Sequence, residues 1–418
     1  MSPERIEADY LIETAFEPHA AAEIMAGEQS SGTFVPVPGE TPELKARAAA
    51  RIERLEIQNS CDLPSLPGAK RPPGSVITRA RVTLSWPLGN IGCSLPNLLA
   101  TVAGNLFELR QFSGLRILDL RLPEAFRRKY GGPKFSVEGT RRLTGVTGRP
   151  LIGTIIKPSV GLSAEQTADL VRELCEAGID FIKDDELQSD GDDCHFADRV
   201  RAVMTVINHD ADRRGRKTMF AFNLTGDLDQ MRERHDLVLS LGGTCVMASL
   251  NSVGLVGMIE LGRHSQLPIH AHRNGWGYLS RHPLLGWNYV AWQKVWRLAG
   301  ADHLHVNGLS NKFCESDDSV MASARECLTP LFPEKPCLAM PVFSSGQTVR
   351  QAAGTFAALR STDLIFAAGG GILAHPDGAA AGVRGLQQAW EAAVAGVELE
   401  TYARERPGLT RALEAFRI

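Results

Sequence analysis

From about residue 150 onward, short apolar runs alternate with longer amphipathic ones. PLIGTIIKP (150–158), FIKDDE (181–186), TMFAFNLTG (218–226), TCVMASLNSVG (244–254), LPIHAHRNG (267–275), HLHVNG (303–308), CLAMPVFSSG (337–346) and LIFAAGGG (364–371) each read as a strand ending in polar residues or glycines. Segments of helical periodicity separate them. The first is SAEQTADLVRELCEAG (163–178), where Ser163 stands as N-cap and Gln166 in the capping-box position. Another is AWQKVWRLAG (291–300). Strand-like runs alternating in this way with helices predict a parallel sheet, and their number and span fit a (β/α)8 TIM barrel.

The preceding residues lack this rhythm and read as a smaller α+β domain. ADYLIE (8–13), SVITRARVTLSWP (75–87) and LRILDLRLP (115–123) have strand character. ETPELKARAAARIERLEI (40–57) and the stretch 98–109 have helical character. Gly131-Gly132-Pro133 punctuates the chain. The expected division is therefore an N-terminal domain over 1–135 and a barrel over 136–418.

Composition narrows the function. The chain has 418 residues and a net charge of −3, which argues against nucleic acid or an anionic membrane as the main partner. No apolar run approaches a membrane span, and the N-terminus is too acidic for a signal peptide, so a cytoplasmic protein is expected. None of the eight cysteines forms a C-x-x-C pair. They read as small buried residues rather than disulfides or zinc ligands.

Active sites of such barrels gather where strands end. Lys157, Lys183, Asp185, Glu186, Asn223, Asn251, His272, Arg273, His305, Ser344 and Gly369 to Gly371 all fall there. In FIKDDE, strand alternation puts Lys183 and Asp185 on one side and Asp184 on the other. Glu186 lies where the strand runs out. Such oxygen ligands suit Mg²⁺; a solvated charge run is the plain alternative. Lys183 can be a salt-bridge partner, a Schiff-base nucleophile or an amine carbamylated by CO₂, and spacing does not decide among these. His270 and His272 share one strand face, as do His303 and His305; with Arg273 beside them they favour a polar anionic ligand. Backbone amides at Gly369-Gly370-Gly371, next to Ser344-Ser345-Gly346, can cradle a phosphate. Lys312 can reach over a ligand as a lid.

Together, GTIIKPSVGLS (153–163), FIKDDE, HAHR, HLHVNG, PVFSSG and GGGILAHP resemble the ribulose-bisphosphate carboxylase (RuBisCO) large-subunit family over nearly the whole chain. GEQSSGTF (27–34) and GNLF (104–107) resemble that family's N-terminal motifs. The resemblance implies a carbamylated Lys183 holding Mg²⁺ with Asp185 and Glu186, and Lys157 moving protons at an enediolate. It implies substrate or phosphate contacts from His272, Arg273, His305, Thr33, Ser344, Gly346, Gly369 and Gly370, and a lid lysine at Lys312. Glu28 and Asn105 match residues that a partner subunit contributes, which implies a homodimer with shared sites.

The departures are informative. Ser159 replaces the second lysine of the carboxylases' KPK motif, Phe34 a tryptophan, Ser345 a glycine and Asn311 a lid glycine. The pattern is similar to RuBisCO-like proteins, which do not fix CO₂. The HRNGWG and HVNGLSNKF stretches are most similar to a branch that decarboxylates 3-oxo-isoapionate 4-phosphate, or transfers or hydrolyses its carboxyl group. A Mg²⁺-dependent lyase is thus expected. The alternatives are an enolase or isomerase of a methylthio-pentulose phosphate, and a non-catalytic sugar-phosphate binder.

Overall fold

The computed structural model describes residues 4–32, 35 and 37–417. Its strands are β1 (Arg5–Thr14), β2 (Arg51–Cys61), β3 (Ile77–Pro87), β4 (Phe112–Arg121), β5 (Leu151–Ile155), β6 (Phe181–Lys183), β7 (Met219–Asn223), β8 (Cys245–Ser249), β9 (Ile269–His272), β10 (Leu285–Trp287), β11 (His303–His305), β12 (Met340–Phe343) and β13 (Ile365–Ala367). The chain forms two compact units, one of residues 1–131 with 275–298 and one of 132–274 with 299–418.

The first unit is built on a sheet of order β10-β4-β1-β3-β2. β1 alternates half-buried and buried residues from Arg5 to Ile12, as a strand with one covered face does, and ends on two further buried residues, Glu13 and Thr14. Two sequence expectations change here. The helix expected over 40–57 is confined to Pro42–Ala48, capped by the Thr41 hydroxyl. Residues 51–61 instead form edge strand β2, antiparallel to β3 with Arg51 opposite Ser85. Arg, Glu and Leu favour helix in isolation, but pairing with β3 satisfies this backbone and overrides propensity. The helix expected over 98–109 is Leu95–Val102 followed by a 3₁₀ turn at Leu106–Glu108. Gly104, with φ +35°, separates them.

Residues 275–298, which the sequence pattern places in the barrel run, pack within the first unit. β10 extends the sheet alongside β4. Arg116 Nη1 donates to the carbonyls of His282 at 2.7 Å and Ser280 at 3.2 Å. Trp276, Tyr289, Trp292 and Trp296 form a chain of ring contacts. Burying four large rings outweighs the simple β/α rhythm as a determinant of where this segment settles.

The second unit is a closed parallel barrel of order β11-β12-β13-β5-β6-β7-β8-β9. All eight strand-like runs of the sequence supply a barrel strand, as expected for a (β/α)8 fold. Ser163 and Gln166 complete the anticipated capping box on helix Ala164–Glu176. Leu151, Phe181, Met219, Met247, Met340, Val342 and Ile365 fill the interior. None of the eight cysteines is in a disulfide and five are buried. No helix among the described residues is long and apolar enough to cross a membrane.

Polar anchors close the end of the barrel where the strands begin. Buried Asp180 accepts the Ile152 N–H at 2.9 Å and Arg149 Nη2 at 3.0 Å, and also pairs with Arg216. Asp302 accepts the N–H groups of Phe135 and Ser136 at 2.7 Å and of Ile269 at 2.9 Å. Asp180→Ala strands two guanidinium partners and a buried amide. It should lower unfolding free energy by about 3–5 kcal/mol in chemical denaturation, without changing the chemistry of the folded fraction.

Candidate functional site

The strand ends place the expected cluster at one face of the barrel. Lys183 closes β6 and is fully buried. Its Nζ donates to the Asp184 carbonyl at 2.7 Å and lies 3.3 Å from Glu186 Oε2. Burial pushes the Lys183 ammonium below its ordinary range, against the pull of Glu186 and Asp185. Lys157, beyond β5, donates from Nζ to Asp185 Oδ2 at 2.5 Å and to Ser159 Oγ at 2.8 Å. The hydroxyl in place of the carboxylases' second lysine is thus an acceptor that steadies Lys157.

Asp184 points away, as alternation requires. It is fully buried against Arg199, with Oδ2 3.2 Å from Nη2, and accepts the Asn223 N–H at 2.9 Å. Burial pushes its carboxyl up while Arg199 and Asn223 oppose the rise. Arg199 also donates to the Ser189 carbonyl at 2.7 Å, and Asn223 Nδ2 to the Gln188 carbonyl at 3.1 Å. Arg199 is buried beneath the site and carries no strand-end signal in the sequence, which is why sequence reading missed it.

His272 ends β9 with Nε2 3.4 Å from Glu186 Oε2. Its Nδ1 accepts the Asn274 N–H at 3.2 Å, so the proton sits on Nε2 and faces the carboxylate. Burial first, then Lys183, lowers His272 to about 4. Burial opposes ionisation of Glu186, but His272 and Lys183 outweigh it and hold that carboxyl at about 2. His305 stacks edge-on to His272 with ring centroids 4.5 Å apart. Its Nδ1 lies 3.0 Å from Ser344 Oγ and its Nε2 2.7 Å from His270 Nε2.

The four histidines therefore divide. His272 and His305 belong to the cluster, whereas His270 and His303 sit deeper, against the Phe181 ring. Thr140 Oγ1 donates to the Ser136 carbonyl, so it accepts from His303 Nε2 at 2.8 Å.

The two glycine-bearing loops are neighbours. A Cβ on Gly371 would lie 2.3 Å from the Gln347 carbonyl oxygen, so only glycine permits this approach. Gly369 and Gly370 begin the four-residue helical turn that follows β13. Gly346 has φ +84° and Ser345 φ +71°. Ser345 pays for that conformation in part by donating its hydroxyl to Asn307 Oδ1 at 2.8 Å.

The 308–316 loop rests on this region through Lys312 N–H to the Ser345 carbonyl at 3.3 Å. Asn311 Nδ2 bonds the carbonyls of Gly308 and Glu315 at 3.0 and 3.1 Å, which gives the residue at the lid-glycine position a bracing role. The Lys312 ammonium is not brought to the cluster: it lies 5.2 Å from the Phe313 ring centroid, on an exposed side chain. Asn251 Nδ2 braces the Asn274 carbonyl at 2.7 Å. Arg273 is buried and ion-paired with Glu315, a partner that the sequence reading did not single out. In the first unit, exposed Glu28 and Asn105 meet at 3.3 Å. Thr33 and Phe34 lie outside the described residues.

A second group, His235, Asp236 and His264, brings its ligand atoms within 4.8 Å of one another. His235 Nε2 accepts the Gln266 N–H at 3.1 Å. The ring proton therefore sits on Nδ1 and donates to Asp236 Oδ1 at 2.8 Å, leaving no lone pair there for a metal.

This ordered set of strand-end groups has counterparts among known proteins. The ribulose bisphosphate carboxylase large chain catalytic-domain model matches residues 136–416, and the N-terminal-domain model matches 6–126. The chain belongs to the RuBisCO large-chain family. It is 60% identical over 99% of its length to a 3-oxo-isoapionate-4-phosphate transcarboxylase/hydrolase of Xanthobacter autotrophicus, covering 100% of that protein. It is 43% identical over 98% of both chains to a 3-oxo-isoapionate-4-phosphate decarboxylase of Rhizobium etli. A rubisco-like protein from Burkholderia fungorum superposes with TM-score 0.93 at 51% identity, covering 99% of this chain and 100% of that one. RuBisCO from Pyrococcus horikoshii gives 0.87 at 29% identity, covering 99% and 96%.

The buried histidines make stability depend on pH. Burial alone holds His303 at about 3. Its lowered value means that the unfolded chain takes up the proton first. The contribution is complete above the ordinary value of 6.5 and is lost as pH falls towards about 3. Urea unfolding at about pH 7 and about pH 4.5 should show a larger stability loss for the native protein than for His303→Gln.

Proposed function

We propose that this RuBisCO-like protein is a lyase that removes the carboxyl group of 3-oxo-isoapionate 4-phosphate, with decarboxylation as the primary reaction. The observation that carries this reading is the fully buried Lys183 amine beside Glu186, with Asp185 held next to Lys157. The activities of the Xanthobacter and Rhizobium relatives support the substrate.

The donor set fits Mg²⁺. An amine whose charge is disfavoured by burial is the form that adds CO₂, and the resulting carbamate with Asp185 and Glu186 would supply hard oxygen ligands. When bound, Mg²⁺ supplies Lewis-acid stabilisation of negative charge on the substrate's ketone oxygen.

The chain's own groups do the rest. As the carbon–carbon bond to the carboxylate breaks, its electron pair passes into the enolate and CO₂ leaves. Lys157 Nζ, positioned by Asp185 and Ser159, then delivers a proton to that carbon and restores the ketone. His272 Nε2–H faces Glu186 and orients the carboxylate it meets. Ser344, Gly346, Gly369 and Gly370 line the loops that receive the phosphate, and Lys312 is the lid cation of the 308–316 loop, which rests on Ser345; Thr33 is a further ligand contact by family resemblance. Glu28 and Asn105 are assigned to the partner's site in a homodimer.

The test follows ¹³C-carboxyl-labelled 3-oxo-isoapionate 4-phosphate with Mg²⁺ and bicarbonate. Label released as CO₂, and lost in Lys183→Ala, is the expected result. Label kept in an organic acid would mark the transfer-and-hydrolysis course of the Xanthobacter relative. Absence of both, with deuterium exchange into a methylthio-pentulose phosphate, would overturn the proposal in favour of enolisation. Lys157→Met should lower kcat by about 10²–10⁴-fold with a small change in KM.

A further inference from the structure

We propose that Glu315 is a specificity-determining residue: as the built-in counter-anion of Arg273, it restricts the site to substrates carrying a single phosphate. This deepens the functional reading above and rests on the same site.

Arg273 is the one guanidinium among the strand-end groups assigned to the ligand. Its side chain is only 6% exposed, and Glu315, at 13%, sits against it. Glu315 Oε2 accepts from Arg273 Nη2 and, at 2.7 Å, from Asn307 Nδ2, while Oε1 accepts from Ser319 Oγ at 2.8 Å. Each carboxylate oxygen thus has a donor, and the group is held from three sides.

The pair is wired into the ligand site. Asn307, which donates to Glu315, accepts the Ser345 hydroxyl at 2.8 Å, and its carbonyl accepts the Ser344 N–H at 3.1 Å. Ser344 in turn touches His305. A guanidinium so placed would ordinarily recruit a phosphate, but here its charge is already balanced by a fixed carboxylate. A second phosphate approaching Arg273 would also approach Glu315 and meet like charge in a part-buried setting, where screening is weak. The first phosphate is assigned to the glycine-bearing 344–346 and 369–371 loops, whereas Glu315 is bonded to Arg273, Asn307 and Ser319.

The test is calorimetric and needs no turnover, so it can fail independently of the proposed reaction. A pentulose 5-phosphate and a pentulose 1,5-bisphosphate are titrated into the full chain. The native protein should bind the bisphosphate no more tightly than the monophosphate. Glu315→Gln should bind the bisphosphate about tenfold tighter, the scale of one part-buried charge interaction, with the monophosphate little changed. Glu315→Asp retains the charge and should keep the native ratio. The double variant Glu315→Gln/Arg273→Gln removes both charges and should also return that ratio to the native one. It carries the test if the single variant does not fold. A native protein that prefers the bisphosphate, an unchanged ratio in Glu315→Gln, equal weakening of both ligands, or a bisphosphate gain that persists in the double variant would each overturn the proposal.

Discussion

The site is organised around the cost of burying Lys183. A lone ammonium in a barrel interior is expensive, and the chain meets that cost by clustering carboxylates where β6 ends. Glu186 lies against the amine and Asp185 against Lys157, while Asp184 turns away to be neutralised by Arg199. Strand alternation makes this division possible: consecutive aspartates serve opposite sides of the barrel wall. One faces the chemistry, and the other locks the loop that carries it. Closing the barrel with parallel strands brings the ends of β5, β6, β9 and β11 to the same face, so groups 157, 183, 272 and 305 meet although more than a hundred residues separate the first from the last.

The departures from the carboxylase pattern have structural consequences that agree with one another. Ser159 replaces a cation with a hydroxyl acceptor and steadies Lys157. Ser345 adopts a glycine-like φ and gains a bond to Asn307. Asn311 braces the lid loop on itself. Each change trades a charge or a degree of freedom for a fixed hydrogen bond. The lysine and carboxylates at the end of β6 are kept, while the cation at position 159 is given up.

The barrel was legible in the sequence because each strand is a short apolar run bounded by turn chemistry, and because its polar residues fall at the ends where parallel topology needs them. Alternation alone separated Asp184 from Asp185. The edge strand β2 was not legible. Its Arg and Glu residues suit a helix, and only the partner strand β3, known after folding, gives its backbone somewhere to pair. The placement of residues 275–298 with the first unit was hidden for a similar reason, since an amphipathic helix looks the same whichever sheet it serves. The histidine pairs were half legible: period-two spacing put His270 with His272, but depth along the barrel, which the pattern does not encode, sorted core from site.

On the proposal above, Glu315 adapts a shared fold to its own substrate. Nothing in the spacing of ESDDS distinguishes its first carboxylate from a solvated one; the loop's own hydrogen bonds turn it inward. Counted with it, the carboxylates at the strand ends are Asp185, Glu186 and Glu315, each with a basic side chain beside it, Lys157, Lys183 and Arg273 in turn, and the histidines are held neutral by burial. RuBisCO from Pyrococcus horikoshii shares the backbone at TM-score 0.87 with 29% identity, so the barrel is common ground and a difference in substrate has to come from the side chains it carries.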